Sequence, residues 1–241
     1  MESKQDKKYT YEDLLEIIRI LRSENGCKWD RAQTHQSLKP CIMEEAAELL
    51  AAIRIYDQTG NPENMREELG DILMLVVLHA QIASEEGLFT MADVVEEVSR
   101  KMVRRHPHVF GNGQADTTEQ ILATWDEIKK EEKKGKDWIE SPLREIPKEL
   151  PSLTRAAKVL KKADKLYEKQ KDYQESVEQL QKSASVLQNL EPATCSKELE
   201  QVMADMLVAM SNIARIYQIS SEQVFADRIE EIIEKYEGTK D

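Results

Sequence analysis

Turn-forming residues are scarce in this chain, with 8 glycines and 7 prolines among 241 residues, and aromatic residues make up only 5%. Long helices need few turn residues, so the scarcity favours an all-α protein. The three cysteines, Cys27, Cys41 and Cys195, are too few and too scattered for a disulfide framework or a zinc site. They read as reduced thiols of a cytoplasmic protein. The polar start MESKQDKKYT lacks the apolar stretch of a signal peptide. No apolar run approaches the roughly 18 residues of a membrane-spanning helix, so no membrane partner is expected. A glycine-rich phosphate loop is missing too, which excludes a P-loop mechanism. None of His35, His79, His106 and His108 has a Glu three positions earlier, which disfavours di-iron chemistry. His79 reads instead as a core or supporting histidine.

Acid is in excess. Asp and Glu total 46 against 34 Lys and Arg, for a net charge of -12. Such a surface repels phosphate backbones, so no nucleic-acid partner is expected from the charge. A small anionic substrate would need a local cation.

Helical periodicity runs through the chain. Thr10 and Asp13 form a capping-box pattern ahead of Leu14, Ile17, Ile18 and Leu21. Asn25-Gly26 ends that helix, and Cys27 to His35 reads as an irregular loop. A second helix is predicted from Ser37 to Tyr56. A third runs from Pro62 to Glu86, with Asn61 as its cap. Thr90 caps a fourth that reaches Arg105, and His106-Pro107-His108 breaks it. Thr117 caps a fifth, to Lys133. Three prolines, Pro142, Pro147 and Pro151, mark residues 134–152 as a linker between 1–133 and 153–241. Four more helices are predicted at 153–170, 172–190, 196–217 and 221–238, the last with a Ser220–Gln223 capping box. Asp205, like Asp71, precedes an apolar helix followed by a short turn, so the second part weakly repeats the first.

The sharpest local feature is acidic. Glu44, Glu45 and Glu48 share one stripe of the second helix, and Glu68 and Asp71 share one stripe of the third. Apolar residues border both stripes. If the helices pack together, the acids meet at an apolar interface, where like charges need compensation. Protonation, Lys or Arg pairing, or a divalent cation would supply it. All-oxygen ligation suits Mg²⁺ or Mn²⁺. A solvated acidic face is the plainer alternative. Likewise, Arg100, Lys101, Arg104 and Arg105 could simply complement a helix C-terminus, and Trp125 could be a core aromatic.

These residues resemble a known family. Glu44-Glu45-x-x-Glu48 with Glu68-x-x-Asp71 is similar to the EExxE…ExxD signature of MazG-type nucleoside triphosphate pyrophosphohydrolases. NGCKWDRAQTHQSL (25–38), REELGDILMLVVLHAQIASEEGLF (66–89), KMVRRHPHVFG (101–111), ATWDEIKKEE (123–132) and IPKELPSLTRAAK (146–158) follow in the family's order. The resemblance covers nearly the whole chain. It implies an all-α helical bundle of two MazG-like repeats that assembles as a homodimer or larger homo-oligomer. It implies Mg²⁺-dependent hydrolysis of nucleoside triphosphates to monophosphate and pyrophosphate, with Mn²⁺ as the other candidate metal. A housekeeping role on unwanted nucleotides is the family's usual one. Glu45, Glu48, Glu68 and Asp71 would hold the metal, and one of Glu44, Glu45 and Glu48 would orient the attacking water, with Glu44 and Glu45 the catalytic candidates. Lys101, the third catalytic candidate, would with Arg105 hold phosphates and stabilise charge on the non-bridging oxygens. Trp125 and Lys129 would contact the nucleotide. Residues 1–133 would be the catalytic repeat. In 153–241 the signature is degraded: Gln174 replaces the first Glu, Val202 replaces the ExxD Glu, and Ile232 and Tyr236 stand at the basic positions. That repeat is expected not to catalyse. The other reading is a helical dimer that senses nucleotide or binds a partner without turnover.

Overall fold

The computed structural model describes residues 8–113, 117–132, 140–167, 172–189 and 197–238, with the side chains at 126 and 130 excepted. All regular structure in these residues is helical, as the composition suggested. The chain divides into two units, Met1–Lys133 and Lys134–Asp241.

The first unit contains α1 (Tyr11–Arg22), α2 (Lys28–Ala32), α3 (Lys39–Thr59), α4 (Glu63–Glu85), α5 (Met91–Arg105), α6 (Pro107–Phe110) and α7 (Thr118–Glu132). Two starts follow the sequence closely. The Thr10 amide donates to Asp13 Oδ2 at 2.9 Å, and the Thr90 amide to Asp93 Oδ2 at 2.7 Å, each closing a full capping box. Such caps satisfy amides that a helix start leaves orphaned, typically worth about 1 kcal/mol.

The stretch from Cys27 to His35 is not an irregular loop, because it carries α2. Arg22 explains the order. Its side chain is buried, it donates to the carbonyls of Asp30 and Gln33, and it pairs with Glu85 at 2.7 Å. One guanidinium thus binds this stretch to α4. Gly26 makes the preceding turn: a Cβ there would stand 2.3 Å from the carbonyl oxygens of Ile20 and Leu21.

Other boundaries moved. Helix α4 starts at Glu63, with Asn61 Oδ1 accepting from the Glu63 amide at 2.9 Å, so the cap geometry is displaced by one residue. The His106-Pro107-His108 break holds α6, because proline is tolerated at a helix's first position. The core of this unit gathers Ile18, Leu38, Leu75, Val77, Leu78 and Ile82, with Leu14, Leu21 and Met74 packed against it. Each such burial contributes about 1.5–3 kcal/mol.

The second unit contains α8 (Ser152–Tyr167), α9 (Tyr173–Asn189), α10 (Lys197–Ile216) and α11 (Ser221–Glu237). Helix α10 packs against α8, α9 and α11. Before α8, Ile146 is buried, and Glu145 pairs with Lys162 of α8. Buried polar residues run through this core. Asn212 donates to Ser176 Oγ at 2.9 Å and accepts from Arg215, which also pairs with Asp164 at 2.7 Å. Only half of the Ser220 box forms. Ser220 Oγ accepts from the Gln223 amide, but the Gln223 side chain turns to Asp227 at 2.7 Å. Cys195 and the rest of 190–196 lie outside the described residues, while Cys27 and Cys41 are free thiols.

Candidate active site

Helices α3 and α4 form a hairpin and pack along one another. Their periodicity turns the two acidic stripes toward a common place. One carboxylate oxygen from each of Glu45, Glu48 and Glu68 lies within 4.8 Å of the others. Glu68 is buried, Glu45 half-buried and Glu48 exposed. Asn64 donates to Glu68 Oε1 at 2.7 Å and fixes that carboxylate. Among the described residues, none of the five acids takes a Lys or Arg partner.

The electrostatics follow from that isolation. Partial burial, then the fields of Asp71, Glu48, Glu68 and Glu44 in falling order, push the Glu45 carboxyl above the usual range. The charge of Asp71 is thus felt at Glu45 more strongly than that of the other three acids, and the charge of Glu44 least. Nothing stands within 4 Å of where a Gly70 side chain would begin, so that face of α4 is open. Of the remedies open to clustered acids, Lys or Arg pairing is unused here. Three converging oxygens of this kind fit a hard divalent cation.

A second cluster forms where α7 packs on α5. The Lys129 ammonium lies 4.7 Å from the centroid of the Trp125 ring, and the Arg105 guanidinium carbon lies 5.8 Å from it. His106 meets the same ring edge-on at 5.5 Å. Arg105, Trp125 and Lys129 are therefore neighbours. Lys101 is half-buried on α5 and has no ion-pair partner among the described residues. No hydrogen bond or ion pair among those residues links the acids to this basic cluster.

Two arrangements were not legible in the sequence reading. Glu132 binds Arg104 at 2.6 Å and Arg105 at 2.5 Å, and those charges, the Arg105 hydrogen bond foremost, hold its carboxyl down at about 2. Its signal was present, since Trp125, Lys129 and Glu132 recur at helical spacing on one stripe of α7. His35 and His79 stack with ring centroids 5.0 Å apart and their Nδ1 atoms 2.7 Å apart. They are 44 residues apart in sequence. Burial and His35 hold His79 below the usual imidazole range.

A Thermotoga maritima protein named nucleoside triphosphate pyrophosphohydrolase/pyrophosphatase MazG is 37% identical over 226 residues, covering 94% of this chain and 84% of that protein. The chain belongs to the MazG family. The MazG nucleotide pyrophosphohydrolase domain model matches residues 33–110, which hold all five acids, Lys101 and Arg105. An Escherichia coli nucleoside triphosphate pyrophosphohydrolase is also 37% identical, over 217 residues, covering 84% of this chain and 76% of that protein. The uncharacterised Bacillus subtilis protein YabN is 51% identical over 145 residues, which is 60% of this chain but 28% of that longer protein. The MazG fold is all-α, in agreement with the helices described above.

Proposed function

We propose that this MazG-family chain hydrolyses nucleoside triphosphates between the α- and β-phosphates, releasing monophosphate and pyrophosphate in a Mg²⁺-dependent reaction. The observation that carries the reading is the convergence of Glu45, Glu48 and Glu68 oxygens within 4.8 Å with no cationic side chain paired to them among the described residues. The names of the Thermotoga and Escherichia relatives support the reaction class.

Glu45, Glu48, Glu68 and Asp71 would hold the cation, which when bound neutralises phosphate charge and makes water more acidic. Glu44, exposed on α3, accepts the proton of the attacking water on a carboxylate oxygen. The water oxygen bonds to the α-phosphorus, the α–β bridging bond breaks, and pyrophosphate leaves with the electron pair. Lys101 and Arg105 offset charge on the non-bridging oxygens. Trp125 and Lys129 contact the nucleotide from α7.

The assembly is a homodimer or larger. Several apolar residues on α3 and α4 are exposed in one protomer, among them Leu50 at 69%, Met43 at 56% and Leu69 at 51%. A water-facing apolar stripe of this kind beside the acids suits a second copy of the same hairpin. Residues 153–241 do not catalyse. Gln174 and Val202 supply no carboxylates there, and a satisfied Ser176–Asn212–Arg215–Asp164 network occupies the core instead. Among the described residues no helix is long and apolar enough to cross a membrane. A cytoplasmic enzyme without a nucleic-acid partner fits that and the net charge of -12.

Product identity tests the reaction class. In ¹⁸O-water, one label should appear in the nucleoside monophosphate and none in pyrophosphate. Release of inorganic phosphate and nucleoside diphosphate would overturn it.

A further inference from the structure

Resting on that reading of the basic cluster, we propose that Glu132 is a positioning residue that fixes Arg105 for a polyphosphate ligand. The geometry is specific. Arg105 spends one edge on Glu132, with Nη2 2.5 Å from Oε2 and Nε 3.2 Å from the same oxygen. Arg104 grips Oε1 from the other side, with Nη2 at 2.6 Å and Nε at 2.9 Å. The Arg105 and Glu132 side chains are only 17% and 12% exposed. A planar guanidinium held along one edge and beside an indole has one orientation. The Nη1 edge of Arg105 has no hydrogen bond among the described residues and is left to donate.

The rest of the stripe supports this. Trp125, Lys129 and Glu132 reach the end of α5 from one face of α7. Lys129 shares the Trp125 ring with Arg105, so two cations are gathered at one indole. The indole Nε1 is buried with no hydrogen-bond partner among the described residues, a third donor without an acceptor here. Two arginines against one carboxylate leave a net positive charge. The complement of such a cluster is a multiply charged anion with several acceptor oxygens, which describes a di- or triphosphate.

The experiment is calorimetric titration of the full chain with inorganic pyrophosphate, beside pyrophosphate-release kinetics. The proteins are wild type, Glu132→Gln, Arg105→Ala and the double variant, with helicity checked by circular dichroism. Glu132→Gln should weaken pyrophosphate binding roughly tenfold, the usual scale for one charge-assisted contact. It should raise KM more than it lowers kcat. In the Arg105→Ala background it should change nothing further, because it acts only through that arginine. Glu132→Asp keeps the charge on a shorter arm and should fall between wild type and Glu132→Gln, which keeps the test open if Glu132→Gln folds poorly.

Tighter binding by Glu132→Gln would mean that the carboxylate competes with phosphate, and the proposal would fall. So would equal losses in both backgrounds, or no pyrophosphate binding by wild type. Wild type that binds pyrophosphate but cleaves no nucleotide would remove the proposed activity and leave this assignment standing. Normal turnover with Glu132→Gln unchanged in both assays would do the reverse.

Discussion

Replacing Glu68 with Gln should stabilise the metal-free protein while removing most of its response to divalent cations. The substitution keeps the side chain's shape, and the new amide oxygen can still accept from Asn64, which now donates at 2.7 Å. What it removes is a buried negative charge with another carboxylate oxygen, that of Glu48, within 4.8 Å. At that separation, with an effective dielectric constant between about 20 and 80, two like charges repel by about 1–3.5 kcal/mol. Glu48 is exposed, so solvent screens the pair and the lower end applies. The expected gain is about 1 kcal/mol in EDTA. With Mg²⁺ the order reverses. A cation at a hundred times its dissociation constant stabilises its site by about 2.7 kcal/mol, and Glu68→Gln should lose most of that. Urea titrations of both proteins, with EDTA and with excess Mg²⁺, measure all four values. If Glu68→Gln is less stable than wild type in EDTA and gains as much from Mg²⁺, the acids are a structural feature and not a cation site.

Other perturbations test other parts of the structure. Glu132→Gln should cost about 1–2 kcal/mol at pH 7, discounted because Arg104 is 57% exposed. Glu132 titrates at about 2 when folded against an ordinary 4.5, so its contribution is full above 4.5 and is lost as pH falls toward 2. The two proteins' urea midpoints should therefore converge on acidification, and a constant gap would refute the ion pair. Leu78→Ala, at a position 3% exposed, should destabilise by about 2–5 kcal/mol, with turnover per folded molecule preserved. Asn212→Ala takes one partner each from Ser176 and Arg215, which keep Asp172 and Asp164, and should cost about 1–3 kcal/mol, seen by hydrogen exchange as a loss confined to residues 152–238.

Local chemistry was readable where one residue's partner lies within a turn of it. Thr10 and Asp13 close their box because the two sit three residues apart, where only helix geometry matters, and Thr90 caps its helix for the same reason. The acidic stripes were readable for the same reason, since spacing on a helix fixes a face. The order of Cys27–His35 is not legible locally, because it comes from Arg22, whose other anchor, Glu85, lies 63 residues away. The value of Glu132 is silent in the sequence because it depends on Arg105 of another helix, a pairing 27 residues long. At Gln223 the local pattern was present, but Asp227 competed for the side chain and won. Sequence patterns thus report what a helix does within itself, and tertiary partners decide the remainder.

The most direct test of the site is pyrophosphate release from a panel of nucleoside and deoxynucleoside triphosphates, with Mg²⁺ and with EDTA, by wild type and Glu45→Gln. The account predicts Mg²⁺-dependent release by wild type and a loss of orders of magnitude in a Glu45→Gln protein that remains folded. Full turnover by Glu45→Gln, or release that persists in EDTA, would contradict it.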